Sequence, residues 1–158
     1  KIVLDTDVVV VGLRSPSGAS AELLRLARAG RLTLAASVSL FVEYESVSTR
    51  QPHLDAAGLT QADVGHVLDA LASLIQPVPI HYLSRPQLRD PADELVLEAA
   101  VNAQADALVS FNPRHFQKAA ARFKLPLTPP RHFSTGLHTR PTPMSELSTY
   151  PLRLPRSI

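Results

Sequence analysis

The sequence predicts an α/β fold in which a parallel sheet is covered on both faces by helices. Three observations point there. Short apolar runs of strand character alternate with segments of helical periodicity. Helix-start signals stand ahead of several of the helical segments. The chain has 158 residues, 45% of them hydrophobic and 19% charged. That is enough for one domain with its own core, and it excludes a disordered chain. No apolar run approaches the roughly 18 residues of a membrane-spanning helix.

The elements follow in order. "KIVLD" (1–5) reads as a short buried strand that ends on an acid. "SPSGASAELLRLARAG" (15–30) reads as a helix, with Ser and Gly start signals, Leu23, Leu24 and Ala27 on its apolar face, and Gly30 as its stop. "RLTLAAS" (31–37) is a second strand. "SLFVEYESVSTR" (39–50) is helical, with Leu40, Phe41, Tyr44 and Val47 on one face. "TQADVGHVLDALASLI" (60–75) is a longer helix, in which Thr60 and Asp63 make a loose capping box. "VPI" (78–80) is a candidate short strand. "DPADELVLEAAVNAQ" (90–104) begins with Asp90 as N-cap and Pro91 at the first helical position. "DALVSF" (106–111) is a strand, and "PLT" (126–128) is a candidate for another. In a parallel sheet the ligand crevice lies beyond the C-terminal ends of the strands. Asp5 and Asn112 stand at two such ends.

Charge is unevenly placed. Residues 1–106 hold 8 Lys/Arg and 13 Asp/Glu, net −5, whereas residues 107–158 hold 8 Lys/Arg and only Glu146, net +7. Either the acids hold metal ions while the basic part meets a polyanion, or the basic part lies on the acidic body. The chain has no Cys, which excludes disulfides and thiolate metal sites. With no signal-peptide pattern at its start, this fits a cytoplasmic protein.

Two chemistries suit acids at strand ends. In the first, Asp5 is a nucleophile that forms an aspartyl-phosphate, with Asp7 as acid/base. "LDTDVV" matches the opening motif of haloacid-dehalogenase-like phosphatases. That chemistry also needs a later Lys and a downstream acidic pair, and the lysines after Lys1 are Lys118 and Lys124, with Glu146 the only acid after residue 106. In the second, acids from distant parts of the chain hold Mg²⁺ or Mn²⁺, hard cations that prefer oxygen ligands, and the ions promote phosphodiester hydrolysis. Asp5, Glu43 and Asp93 are so placed, and position 112 is a fourth.

The blocks "IVLDTDVVV", "FVEYESVSTR", "RDPADELVLEAAVNAQADALVSFNPRHF" and "PLTPPRHF" occur in this order. Together they resemble the PIN-domain family and, more narrowly, the VapC-like toxin components of bacterial toxin–antitoxin systems. The resemblance covers about residues 1–135 and leaves 136–158 as a Pro-rich basic extension. It implies a three-layer sandwich with a central, mainly parallel sheet. It also implies Mg²⁺- or Mn²⁺-dependent cleavage of RNA, a cognate antitoxin as inhibitor, and a homo-oligomer, dimer or higher. The family's first Asp falls on Asp5, its Glu on Glu43, its third acid on Asp93, its Ser/Thr on Ser110 and its closing Asp on Asn112. Two positions depart from the pattern: Asp7 stands where Asn is usual, and Asn112 where Asp is frequent. Asn112 keeps a carbonyl that can ligate or orient water but brings no charge, and Asp7 can restore it.

Plainer roles stand beside these. Asp7 can cap a short helix that begins after it, Asp90 is an N-cap, and Asp106 can cap the turn before its strand. Glu94 and one of Glu43 and Glu45 read as surface acids. Glu43 is favoured for the site because it flanks the apolar face one turn after Leu40. In "RHF" at 114–116 and again at 131–133, Phe reads as an anchor and His as a surface residue. Arg14 reads as a phosphate contact or a solvated cation. In the closing stretch "MSELSTYPLRLPRSI" (144–158) the pattern S-x-x-x-L-R-L-P-x-S-I resembles the start of ribbon-helix-helix proteins. Residues 144–158 are expected to add a strand or fill a groove on a neighbouring subunit, or basic Arg140, Arg153 and Arg156 to reach the carboxylates.

Overall fold

The structure, a computed structural model, describes residues 1–83 and 85–133. The order along the chain is β1 (Ile2–Leu4), α1 (Thr6–Arg14), α2 (Ala19–Arg28), β2 (Leu34–Ala36), α3 (Val38–Ser48), α4 (Gln51–Ala57), α5 (Gln61–Leu74), β3 (Ile75–Pro77), α6 (Pro91–Asn102), β4 (Ala107–Val109), α7 (Pro113–Arg122) and β5 (Leu127–Thr128). The strands form one sheet in the order β3-β2-β1-β4-β5, and every pairing is parallel. Successive side chains of a strand point to opposite faces. All three residues of β1, of β2 and of β4 are buried, so helices cover both faces, as parallel sheets require. β1 is the centre: Ile2, Val3 and Leu4 lie opposite Ala107, Leu108 and Val109 of β4, and Ile2 also lies opposite Leu34 of β2.

Two expectations are corrected. The strand placed at 78–80 is at Ile75–Pro77 instead, where it pairs residue for residue with Leu34–Ala36. Helix α5 passes straight into it at Leu74 without a turn, so no breaker residue marks the change of period. Pro77 is tolerated because β3 is an edge strand. The second correction is α1. Asp7 does not cap a helix that begins after it; Asp5 occupies the N-cap position of a nine-residue helix, and Asp7 sits exposed in its first turn. The run Val8–Val11 has β-branched character, but Val8, Val9 and Val10 are buried in the core, and that burial overrides the propensity. Gly12 permits this packing: a Cβ there would come within 2.9 Å of Leu24 Cδ1 on α2.

The Thr60/Asp63 capping box forms on α5, and Asp90 caps α6 by accepting from the Ala92 N–H at 2.9 Å. Glu94, read as a surface acid, is buried. Its Oε1 accepts from the backbone N–H groups of Gln87 and Leu88, the latter at 2.7 Å. One turn on, the buried Glu98 takes both Arg85 Nε and Nη2 at 2.6 Å. One further turn on, Asn102 Oδ1 accepts from His81 and Tyr82 N–H, each at 2.9 Å. One face of α6 thus holds the connection that leads into it. Asp106 bonds the amino group of Lys1 rather than capping a turn. The extension at 136–158 lies outside the described residues.

Candidate active site at the ends of β1 and β4

The side on which successive strands are added changes between β1 and β4: one side of β1 carries β2 and β3, the other β4 and β5. Crevices in doubly wound sheets form at this kind of switch point. Asp5 and Ser110, the residues that follow β1 and β4, meet there. The Asp5 N–H donates to the Val109 carbonyl at 2.9 Å, and Ser110 Oγ donates to Asp5 Oδ2 at 2.6 Å. Ser110 Oγ in turn accepts from the Asn112 N–H at 2.9 Å. This chain of two bonds fixes the Asp5 carboxylate from the side of β4. From the opposite side, the buried Tyr44 of α3 donates its hydroxyl to the Leu4 carbonyl at 2.5 Å, which anchors the backbone one residue ahead of Asp5. Burial, and then the charge of Asp5, push the Tyr44 phenol above its ordinary range, so it stays a neutral donor.

Asp5 is 7% exposed. Its carboxyl is pushed up from 3.8 to about 6, first by burial, against the Ser110 hydrogen bond, and further by the charges of Asp7 and Asp93. Asp93, in the first turn of α6, is also raised. Burial comes first, then the charge of Asp90, with His115 opposing and Asp7 adding. Three carboxylates from two helix starts therefore act on one another. His115 Nδ1 on α7 lies 3.3 Å from Asp93 Oδ2, so the histidine read as a surface residue is exposed yet belongs to the site.

The remaining candidates are placed as follows. Glu43 is half-buried on α3, but the carboxylates that act on Asp5 are Asp7 and Asp93. Glu43 makes no hydrogen bond or ion pair among the described residues. Its neighbour Tyr44 takes the inward position on the helix. Asn112 is exposed at the N-cap of α7 and makes no side-chain cap bond; its backbone, not its amide, holds Ser110. Asp7 supplies negative charge beside Asp5 where Asn112 supplies none. Arg14 closes α1. Lys118 and Lys124, the lysines that phosphoryl transfer would call on, are exposed.

Among the described residues no three His, Asp or Glu side chains stand together as a ready-made metal site. The donor chemistry nevertheless fits a hard divalent cation. The acids are oxygen donors, and their mutual repulsion and raised proton affinity are what a cation relieves.

A family model described as PIN domain matches residues 1–114, from β1 through β4 to the start of α7. No curated protein matches the chain. PIN domains are generally nuclease modules that use divalent metal ions. With its five-stranded parallel sheet, and an aspartate at the central strand's end, the chain belongs to the PIN-domain family.

Proposed function

We propose that this chain is a metal-dependent ribonuclease, the toxin of a VapC-like bacterial toxin–antitoxin pair. One observation carries the reading. Asp5 is a buried carboxylate, fixed by Ser110 and pressed by the charges of Asp7 and Asp93 at the switch point of a PIN-family sheet. Perturbed carboxylates in such a place mark function more than stability. Asp5 and Asp93 would hold Mg²⁺ or Mn²⁺, with Glu43 and Asn112 completing the set and Asp7 adding charge. When bound, the ion supplies Lewis acidity toward a phosphodiester and makes water more acidic. Ser110 and Tyr44 keep Asp5 oriented. A cognate antitoxin is the expected inhibitor, in the cytoplasm, and the toxin acts as a homo-oligomer. On this reading the nuclease unit is 1–135 and the extension 136–158.

The test is RNA cleavage with Mn²⁺, with Mg²⁺ and with EDTA, comparing the native chain and Asp5→Asn. Cleavage that requires metal and is lost in Asp5→Asn supports the reading. The neutral Asn112 favours a second reading, a PIN module that binds RNA or protein without cutting it. Absence of both cleavage and Mn²⁺ binding at millimolar metal selects that one.

A further inference from the structure

Helix α7 starts at the site and leads away from it. It carries Arg114, Lys118 and Arg122 and no acid. From Ala107 to Phe133 the chain has five Lys/Arg and no Asp or Glu. Steps of four residues advance about 6 Å and turn about 40° on a helix, so the three cations form one stripe about 12 Å long. The stripe begins at the reacting groups. Arg114 lies next to His115, which touches Asp93, and two residues from Asn112, whose N–H meets Ser110.

Two cations elsewhere are neutralised: Arg25 pairs with Glu22, and Arg85 with Glu98. On α7, Arg114 and Lys118 are exposed and make no ion pair among the described residues. Arg122 is steered by neutral partners, Gln87 Oε1 at 2.9 Å and the Phe123 ring at 5.8 Å, so its charge stays uncompensated. Like charges four residues apart repel on a helix. Twice in one helix that repulsion is accepted with no acid to relieve it.

We infer that Arg114, Lys118 and Arg122 form a track for the backbone phosphates of the RNA strand that flanks the cleaved bond. This rests on the ribonuclease reading. The ligand is the sugar-phosphate chain rather than the bases: the stripe is cationic, the Phe123 ring at its far end is engaged by Arg122 and by the edge of Tyr82, and cation–phosphate contacts carry no base preference. The track extends the site by two or three nucleotides, so a long RNA is gripped and a dinucleotide is not.

The experiment uses the full chain, and the probe is a fluorescein-labelled 20-nucleotide single-stranded RNA. Binding is measured in EDTA from 50 to 300 mM KCl, and cleavage is measured in Mn²⁺. For Arg114→Gln/Lys118→Gln the slope of log K against log salt falls by about 1.4, because each lost phosphate contact removes about 0.7. KM for the 20-mer rises roughly ten-fold, while kcat and cleavage of a dinucleotide keep their values. The charge-preserving Arg114→Lys/Lys118→Arg keeps the native slope, and Arg28→Gln on α2 changes nothing. Both substituted side chains are exposed, and an unchanged circular dichroism melt confirms the fold. If the native chain cleaves the 20-mer while Arg114→Gln/Lys118→Gln keeps both slope and KM, the track is wrong and the ribonuclease stands. If the native chain neither binds nor cleaves RNA, both fall.

Discussion

Asp93 and Glu94 are neighbours in the first turn of α6, and they meet opposite conditions. Glu94 is the more buried, at 3% exposure, and backbone N–H groups meet one of its oxygens, while Glu98 below it is closed by Arg85 in a bidentate pair. Asp93 has only the edge of an exposed histidine and faces the charges of Asp90 and Asp7. About 100° of helix rotation separates a carboxylate that holds the fold together from one that the fold leaves under repulsion. Burial alone does not distinguish them. What does is whether the surrounding groups answer the charge or add to it. A protein keeps unanswered carboxylates where something else answers them.

The largest expected effect comes from the unanswered side. Asp5→Asn reduces RNA cleavage to background, and it makes the metal-free chain more stable at neutral pH. The sign follows from the shift. The Asp5 carboxyl titrates near 6 in the folded chain against 3.8 in the unfolded one. The folded state therefore holds the extra proton between those values, and stability is present at low pH and is lost as pH rises through 6. The shift corresponds to at most about 3 kcal/mol. Urea midpoints of both proteins in EDTA at pH 5 and pH 7.5 measure it: the native-minus-variant difference should grow more negative at the higher pH. A flat difference refutes the account of Asp5.

On the answered side the effect is reversed. Arg85→Ala leaves Glu98 buried without its cation and lowers stability by about 2 kcal/mol, discounted from fully buried pairs because Arg85 is partly exposed. Mn²⁺ affinity, read by titration calorimetry, should hold. Asp93→Asn should do the converse, weakening Mn²⁺ binding with little change in the urea midpoint. If both variants lose stability and metal together, the two faces of α6 are not separable.

The fold was largely legible because it rests on periodicity and caps. Strands at 1–5, 31–37 and 106–111 match buried strands, and the Asp90–Pro91 start is the observed one. What escaped was set by tertiary contacts. Valines in α1 look like strand residues until the core claims them. Glu94 looks like a surface acid until the 81–90 connection folds over it. In the site, Asp5 and Asp93 were readable because strand ends and helix starts are local signals. Tyr44 as the anchor of Leu4 and His115 as the partner of Asp93 depend on contacts 40 and 22 residues apart along the chain, for which a single sequence carries no local mark.

Smaller effects sharpen the contrast. Ser110→Ala removes the hydroxyl from Asp5 Oδ2 and should cost about 1 kcal/mol in urea unfolding, with a larger proportional loss in Mn²⁺ affinity of roughly 10-fold. Thr60→Ala, in the capping box of α5 far from either carboxylate group, should cost about 1 kcal/mol and leave metal binding and cleavage untouched. It therefore serves as the control for stability loss without site loss.

The bond from Ser110 to Asp5 spans 105 residues, and β1 takes its place in the sheet's centre only when β4 is beside it. Domains emerge from the ribosome N-terminus first. A growing chain therefore carries Asp5 more than a hundred residues before it carries the Ser110 hydroxyl that fixes the carboxylate. On the ribonuclease reading, a nascent chain that stops short of β4 has the acid but not the bond that aims it, so cutting waits on completion of the sheet.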